Sequence, residues 1–209
     1  MRELKINKED FDYKEVLDYK INNVVASVSL KISEKIDLAQ IARKLNEVEY
    51  SPERFPGLIL RVDKPKSTVL IFSTGNMVVT GIKNVSNADK TVKNIIKKIR
   101  KIGIKLPDPK IIIQNIVATG DLHSSIDLNK ATIIMDNVMF EPEIFPGLIY
   151  RMQDPKTVFL IFSTGKVVCT GAKNEEKIEK ALLKLNQMVH DLNITREPSK
   201  ESNYEIIFK

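Results

Sequence analysis

Few side chains in this sequence could do covalent or metal chemistry. The 209 residues include two histidines, His123 and His190, and one cysteine, Cys169. His123 falls in a polar turn, and His190 falls at the end of a helical pattern, where a cation is mildly favoured. Cys169 belongs to an apolar strand pattern and is expected to be buried, and a lone cysteine excludes an intramolecular disulfide and a thiolate-cluster metal site. We therefore expect no enzyme, no cofactor and no metal site.

Side chains that could bind an anion are abundant. Lys and Arg number 33 against 27 Asp and Glu, which gives a formal net charge of +6. This excess suits an anionic partner such as nucleic acid. The chain is 43% hydrophobic and 29% charged, a composition that predicts a folded core. It has no apolar run long enough to span a membrane, and its start is too charged for a signal peptide, so a soluble intracellular protein is expected.

An internal repeat organises the chain. The 30 residues from Phe55 to Asn84 recur as Phe145 to Asn174 without a gap, and 19 of them are identical. Such self-similarity in two copies indicates a duplication. The sequence thus predicts five segments, which are an acidic N-terminal arm (1–19), a first repeat (20–106), a proline-containing linker (107–109), a second repeat (110–196) and a C-terminal tail (197–209) with an apolar stretch at 204–208.

Each repeat predicts the same elements in the same order. In the first, strands are expected over 22–32, 58–62, 68–72 and 77–80, with short turns that favour antiparallel pairing. A short helix is expected to follow an Asp37 cap, and a long helix over 88–102 to follow an Asn87 cap. In the second, the helices are expected near 128–135 and 175–192. The predicted class is α+β, built twice.

The predicted sheet has two apolar faces but helices for only one. Leu70 and Phe72 share one strand face, Val69 and Ile71 share the other, and all four are apolar. Two arrangements could cover the second face. The repeats could pack these faces together as a sandwich, or the face could bind a partner. Matched polar residues on this face, Asn23 with Asn115 and Thr80 with Thr170, favour a binding platform.

The repeated motifs resemble those of the TATA-box-binding proteins of archaeal and eukaryotic transcription. They are FPGL, LIFSTG and VxTGxKN in both copies, with QNIVAT at 114–119 and FEPEIFPGLIYRM at 140–152. The likeness covers about residues 20–196, and the short arm and the two FPGL motifs are closer to archaeal members. It implies two tandem pseudo-symmetric repeats in a curved ten-stranded antiparallel saddle, with four helices on the convex face.

The resemblance also implies a function and the residues that perform it. Members of this family bind A·T-rich promoter DNA in the minor groove and kink it, and they are themselves the standard example of this mode of DNA deformation. The implied intercalating side chains are Phe55, Phe72, Phe145 and Phe162. Hydrogen bonds to the groove are implied for Asn23, Asn115, Thr80 and Thr170, and apolar contacts for Val25, Val117, Leu70, Leu160, Val78 and Val168. Implied phosphate contacts are Arg61, Arg151, Lys83, Lys173, Lys166, Thr74 and Thr164.

Two departures from repeat symmetry matter for this reading. Asn76 stands where the second repeat has Lys166, so the first repeat has one cation fewer for phosphate contact. The loop with Glu141, Glu143 and Ile144 resembles the family's docking site for transcription factor B, whereas the matching loop has Glu53 followed by Arg54. The implied partners are promoter DNA, transcription factor B and the RNA polymerase initiation machinery, and the resemblance allows a homodimer of the free protein. An archaeal chain would act in the cytoplasm at the nucleoid.

Two other functions are compatible with the residues alone. Related sheets occur as accessory domains of DNA-repair enzymes, although no catalytic helical domain is predicted here. A duplicated protein-interaction module could instead bind a polypeptide on the apolar face. Binding to an A·T-rich duplex in a gel-shift assay separates the DNA-binding reading from the latter.

Overall fold

The computed structural model describes residues 18–196. Residues 1–17 of the predicted arm (1–19) and the predicted tail at 197–209 lie outside the described residues, so the proposed segment boundaries stay a prediction. No helix within residues 18–196 is long and apolar enough to cross a membrane.

Both repeats contain the same core elements. The first repeat consists of β1 (Asp18–Ser29), α1 (Leu38–Lys44), β2 (Val48–Glu49), β3 (Leu58–Asp63), β4 (Lys66–Ile71), β5 (Asn76–Ile82) and α2 (Val85–Lys101). The second consists of β6 (Lys110–Asp121), β7 (Ser125–Ile126), α3 (Leu128–Ile134), β8 (Val138–Met139), β9 (Gly147–Met152), β10 (Thr157–Phe162), β11 (Lys166–Ala172), α4 (Glu175–Asp191) and β12 (Thr195–Arg196). Relative to the first repeat, the second adds β7 and β12, which form a separate two-stranded sheet.

The other ten strands form one antiparallel sheet, a curved saddle in the order β2-β3-β4-β5-β1-β6-β11-β10-β9-β8. The two halves of this order mirror each other about the junction of β1 and β6. At the junction the 12-residue strands β1 and β6 pair from Asp18 with Asp121 to Ser29 with Lys110. The predicted fold class is confirmed. The sandwich arrangement is wrong, because the repeats join edge to edge through backbone hydrogen bonds and leave the second sheet face open.

Side-chain caps begin all four helices. Asp37 and Asp127 accept hydrogen bonds from the backbone N–H groups of Gln40 and Lys130, at 2.9 and 3.0 Å. The cap of α2 differs from the prediction, since the helix begins at Val85 and not at residue 88. Asn84 supplies the cap by accepting from the N–H of Ser86 at 2.8 Å, which places Asn87 inside the first turn. A satisfied N-terminal donor outweighs the low helix propensity of the Val-Ser-Asn start.

The helices and the sheet enclose a core on the convex side. Alternate residues of every long strand are buried there, among them Val24, Val69, Ile71, Val79 and Phe159, each with 0% exposure. The apolar stripes of α2 and α4 pack over them with Val92, Ile96, Leu182 and Leu185 buried. The intervening strand residues are half-buried. The packing thus separates a closed convex side from an open concave face.

Candidate nucleic-acid interface

The concave face carries apolar side chains at matching positions of both repeats. Neighbouring strand residues point to opposite sides of the sheet, so the residues that alternate with the buried ones lie on the concave face. All six apolar residues assigned to the groove lie here and are half-buried; these are Val25, Leu70, Val78, Val117, Leu160 and Val168. The prediction that this face is apolar and, within residues 18–196, uncovered by helices is confirmed.

The two central asparagines are held in a fixed orientation by their own strands. Asn23 Oδ1 accepts the backbone N–H of Gly81 at 2.7 Å, and Asn115 Oδ1 accepts that of Gly171 at 2.8 Å. The pairing register shifts at these glycines, whose φ values are +87° and +101°. A left-handed backbone favours glycine and turns the N–H towards the amide oxygen. Each asparagine therefore presents its Nδ2 amino group, which is a donor, to its surroundings.

A threonine accompanies each asparagine, as the sequence predicts. Asn23 Nδ2 lies 3.2 Å from Thr80 Oγ1, and Asn115 Nδ2 lies 3.0 Å from Thr170 Oγ1. Because an amide nitrogen carries two hydrogens, one bond to threonine leaves the second available to a ligand. The centre of the concave face thus presents two amide donors related by the pseudo-two-fold axis.

Four further polar residues near the centre were not identified from the sequence. Gln114 Nε2 donates to Ser27 Oγ at 2.7 Å, and Thr119 Oγ1 donates to Asn22 Oδ1 at 3.0 Å. These two bonds cross the junction between β1 and β6, and each is the symmetry counterpart of the other. The hydroxyl residues at 27 and 119 occupy the same place in the two repeats, and this match could have identified them from the sequence.

The four assigned phenylalanines form two edge-to-face pairs. The ring centroids of Phe55 and Phe72 are 5.8 Å apart, those of Phe145 and Phe162 are 5.9 Å apart, and both interplanar angles are 64°. All four rings are partly exposed. Edge-to-face packing is the favourable contact for two aromatic rings and holds each pair in one geometry.

Each phenylalanine pair lies against a glycine of its FPG motif. A Cβ on Gly147 would lie 2.7 Å from Phe145 Cε1 and 3.1 Å from Phe162 Cε1, and a Cβ on Gly57 would meet the first-repeat rings at the same two distances. Any side chain there would therefore displace the rings. The sequence analysis did not assign a role to these glycines, although the repeated FPG motif marked them.

The basic side chains assigned to phosphates are exposed, and they line three shallow depressions on the surface. Arg61 and Lys83 line one shallow depression with Asn23 and Thr80, and Arg151 and Lys173 line another in the second repeat. Thr164 and Lys166 line a third depression with Phe162. Thr74 is exposed in the turn before β5. These groups place positive charge and hydroxyl donors beside the concave face.

The two arginines differ in their surroundings. Arg61 forms an ion pair with Glu49, with the two atoms 3.5 Å apart. Met139 stands at the position of Glu49 in the second repeat, so this pair is not repeated. The exposed Arg61–Glu49 pair is worth little in water, and it leaves Arg61 more neutralised than Arg151.

The strand register gives a physical context for the Asn76 departure. Lys166 lies directly across from Asp121, whereas Asn76 lies across from Ser29. The second repeat therefore opposes two charges where the first opposes two neutral side chains. The first repeat has neither the lysine nor the acid across from it.

The acidic loop of the second repeat shares its backbone with the first-repeat loop. Phe145 N–H donates to Glu141 O at 2.9 Å, as Phe55 N–H does to Ser51 O at 3.0 Å. Glu141 and Glu143 are exposed, and Ile144 is 79% exposed. The two loops therefore present different side chains on one scaffold.

Residues with catalytic potential are dispersed. Cys169 is fully buried, and burial raises the pKa of its thiol to about 12. His123 occupies a turn with φ +51°, and His190 lies in the last turn of α4. Among residues 18–196, no three His, Cys, Asp or Glu side chains are grouped to hold a metal ion.

The chain is similar to known transcription factors. The family described as "Transcription factor TFIID (or TATA-binding protein, TBP)" matches residues 18–102 and 110–192. A TATA-box-binding protein of Pyrobaculum islandicum is 48% identical over 177 residues, covering 84% of this chain and 88% of the relative. That of Sulfurisphaera tokodaii is 47% identical over 200 residues, covering 95% and 98%. The solved Methanococcus jannaschii TBP has a TM-score of 0.77 at 43% identity, covering 83% of this chain and 99% of that one.

The duplicated saddle and these matches define a DNA-binding factor of transcription initiation. More particularly, the chain belongs to the TATA-box-binding protein family, in its archaeal branch. The resemblance drawn from the sequence motifs is confirmed. The matches support neither a repair-enzyme domain nor a protein-interaction module.

Proposed function

We propose that the concave face binds A·T-rich promoter DNA in the minor groove and kinks it with the two phenylalanine pairs. The observation that carries this proposal is the half-buried apolar face with repeat-matched side chains. A wide apolar surface suits a groove that has been opened and flattened, because such a groove exposes sugars and base edges with few charges.

The central amides favour A·T pairs. In the minor groove, A·T and T·A pairs both present acceptors, while G·C adds a protruding amino donor. The Nδ2 groups of Asn23 and Asn115, with the hydroxyls of Thr80 and Thr170, can donate to such acceptors. The guanine amino group would instead meet a donor and the close-packed side chains of Val25 and Val117. The face therefore selects base composition and not the orientation of a pair.

The phenylalanine pairs provide the wedges. Inserting an apolar ring partly unstacks a base step at a cost of about a few kcal/mol, which the added contact must offset. A wedge must be rigid to do this. The edge-to-face contact, and the close packing of both rings against the glycine of the FPG motif, restrict the movement of the rings. One pair lies in each repeat, so we expect two kinks, one towards each end of the site.

The basic groups hold the phosphates on both sides of the groove. Five cations are assigned to this role; they are Arg61, Arg151, Lys83, Lys173 and Lys166. Thr74 and Thr164 add hydroxyl donors. These contacts position the duplex without reading its sequence.

Recruitment of the rest of the machinery is assigned to the second repeat. Glu141, Glu143 and Ile144 present two carboxylates and an exposed apolar side chain, the combination that a basic and partly apolar surface of transcription factor B would recognise. RNA polymerase would follow through that factor. The site of action is then the nucleoid in the cytoplasm, and a homodimer of the free protein through the concave face stays a prediction.

A salt series with two duplexes tests the DNA-binding proposal. Five phosphate-bound cations predict that log K falls with log salt concentration at a slope of about −4 to −5. We expect an A·T-rich duplex to bind more tightly than a G·C-rich one at every salt concentration. Arg151→Ala should make the slope less steep by about one, and Lys97→Ala, on the exposed side of α2, is the matched control. Equal affinity for both duplexes, or a flat salt dependence, would overturn the proposal.

A further inference from the structure

The large apolar side chains that the described residues expose are concentrated in the second repeat. Apart from Ile112 on β6, which is 44% exposed, their exposed fractions are 83% for Ile133, 42% for Ile134, 47% for Met139 and 79% for Ile144. We call these four side chains the second-repeat patch. The matching positions of the first repeat are all charged, namely Arg43, Lys44, Glu49 and Arg54. The fold therefore accepts charge at these sites, and their apolar character is a property of the second repeat alone.

The patch includes an unprotected edge of the sheet. Ile133 and Ile134 end α3, and Met139 lies on β8, the last strand on this side of the ten-stranded sheet. An edge strand has backbone groups free to pair with another segment, and proteins often guard such edges with charged side chains. Glu49 and its partner Arg61 stand on and beside the opposite edge, β2. The β8 edge carries Val138 and Met139 and lacks this protection.

The chain leaves the described region beside the same helix. Arg196 Nε lies 3.2 Å from Asp127 Oδ2, and Asp127 caps α3. Lys130 Nζ on α3 donates to Asn193 O at 2.7 Å, which holds the segment before Arg196 against this helix. Residue 197 therefore follows directly from the N-terminal end of α3, while the patch begins at its C-terminal end.

The tail that follows has suitable length and composition. The seven residues of α3 span about 10 Å, whereas the seven residues 197–203 can extend to about 23 Å. They are followed by Tyr204-Glu205-Ile206-Ile207-Phe208, a short apolar run rich in residues that favour strands. Such a run can cover apolar side chains and pair with a free strand edge.

We propose that residues 204–208 of the same chain dock on the second-repeat patch and cover the β8 edge. The proposal explains why one repeat keeps exposed apolar side chains where the other has charges, because only the second repeat lies beside the tail. Ile144 also belongs to the loop assigned to transcription factor B. Docking of the tail would then compete with that partner, a consequence that rests on the proposed function.

Paramagnetic broadening of isoleucine methyl signals in the full chain tests this docking without any partner. A nitroxide is attached to the thiol introduced by Lys209→Cys, and Cys169→Val removes the native thiol by using the first-repeat residue, Val79. We expect loss of the Ile133, Ile134 and Ile144 methyl signals. Ile41 on α1, in the first repeat, should keep its intensity and serves as the internal control. Unchanged patch signals, or a loss equal to that of Ile41, would overturn the proposal.

Two further samples separate the tail from other occupants. Ile206→Ser with Phe208→Ser should restore the patch signals, and so should Ile133→Arg with Ile134→Lys, read at Ile144; the latter places first-repeat residues at sites that tolerate them. Continued broadening in both variants would contradict specific docking. In a mixture of isotope-labelled chains without nitroxide and unlabelled chains with it, broadening would assign the patch to a second copy and refute docking within one chain.

Discussion

Two phenylalanines on one strand provide a direct test of the division between core and DNA-binding face. Phe159 and Phe162 both lie on β10 and point to opposite sides of the sheet. Phe159 has 0% exposure and stacks on Tyr150 with ring centroids 6.4 Å apart. Phe162 is partly exposed and contacts Phe145 edge to face. Substitution by alanine should therefore mainly lower stability at Phe159 and mainly reduce DNA bending at Phe162.

The expected losses of stability differ by a few kcal/mol. Truncating a buried phenylalanine costs about 3–5 kcal/mol, which at about 2–4 °C per kcal/mol lowers the Tm of Phe159→Ala by about 6–20 °C. Phe162→Ala loses an aromatic contact worth about 0.5–1.5 kcal/mol and part of one ring's burial. We expect its Tm to fall by about 2–8 °C.

DNA bending should follow the reverse order. Phe162→Ala breaks one of the two wedge pairs, so we expect the kink at that end, roughly half of the bend, to be lost, whereas folded Phe159→Ala should bend DNA normally. The assay combines thermal melting without DNA with energy transfer between dyes at the two ends of a short A·T-rich duplex. If Phe162→Ala melted as low as Phe159→Ala and still bent DNA fully, Phe162 would be a core residue and the wedge assignment would be wrong.

Three further predictions follow from the described contacts. Replacing Glu141 and Glu143 together by lysine should abolish the ternary complex with transcription factor B in a gel-shift while leaving DNA binding intact, and Glu53→Lys should leave both intact; equal loss from both loops would refute the loop assignment. Asn76→Lys should steepen the salt dependence of DNA binding by about one, and an unchanged slope would place this position away from phosphates. With its pKa raised to about 12, Cys169 is protonated at pH 8, so iodoacetamide should label it only after denaturation, as mass spectrometry of the intact protein can show.

Local sequence patterns predict much of this architecture. The alternation at residues 69–72 separates the buried from the open face, and the short turns require antiparallel neighbours. Asp37 and Asp127 mark helix starts because each precedes an apolar helical stripe. At α2, two asparagines compete for the cap, and the sequence prediction selected Asn87 where Asn84 accepts the bond. Repeat symmetry could have resolved this, since Asn174 caps α4 at the matching position.

Other features depend on contacts between distant residues. Pairing of β1 with β6 is a backbone interaction across more than 80 residues, and alternation alone could not distinguish it from a sandwich of two sheets. The β7–β12 ladder has two residues in each strand and joins Ile126 to Thr195, too short to leave a periodic signal. The role of Gly147 emerges only when both phenylalanine rings are in place.

The mirror order of strands about the β1–β6 junction has a consequence for the direction of transcription. A face whose two halves carry the same asparagines, threonines and phenylalanines fits a groove almost equally well either way round, and the minor groove itself hardly distinguishes A·T from T·A. A tenfold preference for one orientation needs about 1.4 kcal/mol. That energy has to come from places where the halves differ, such as Lys166 against Asn76, or from a partner that recognises only one end. The residues that the two repeats share therefore bind the DNA, and the positions at which the repeats differ set the orientation of the protein on it.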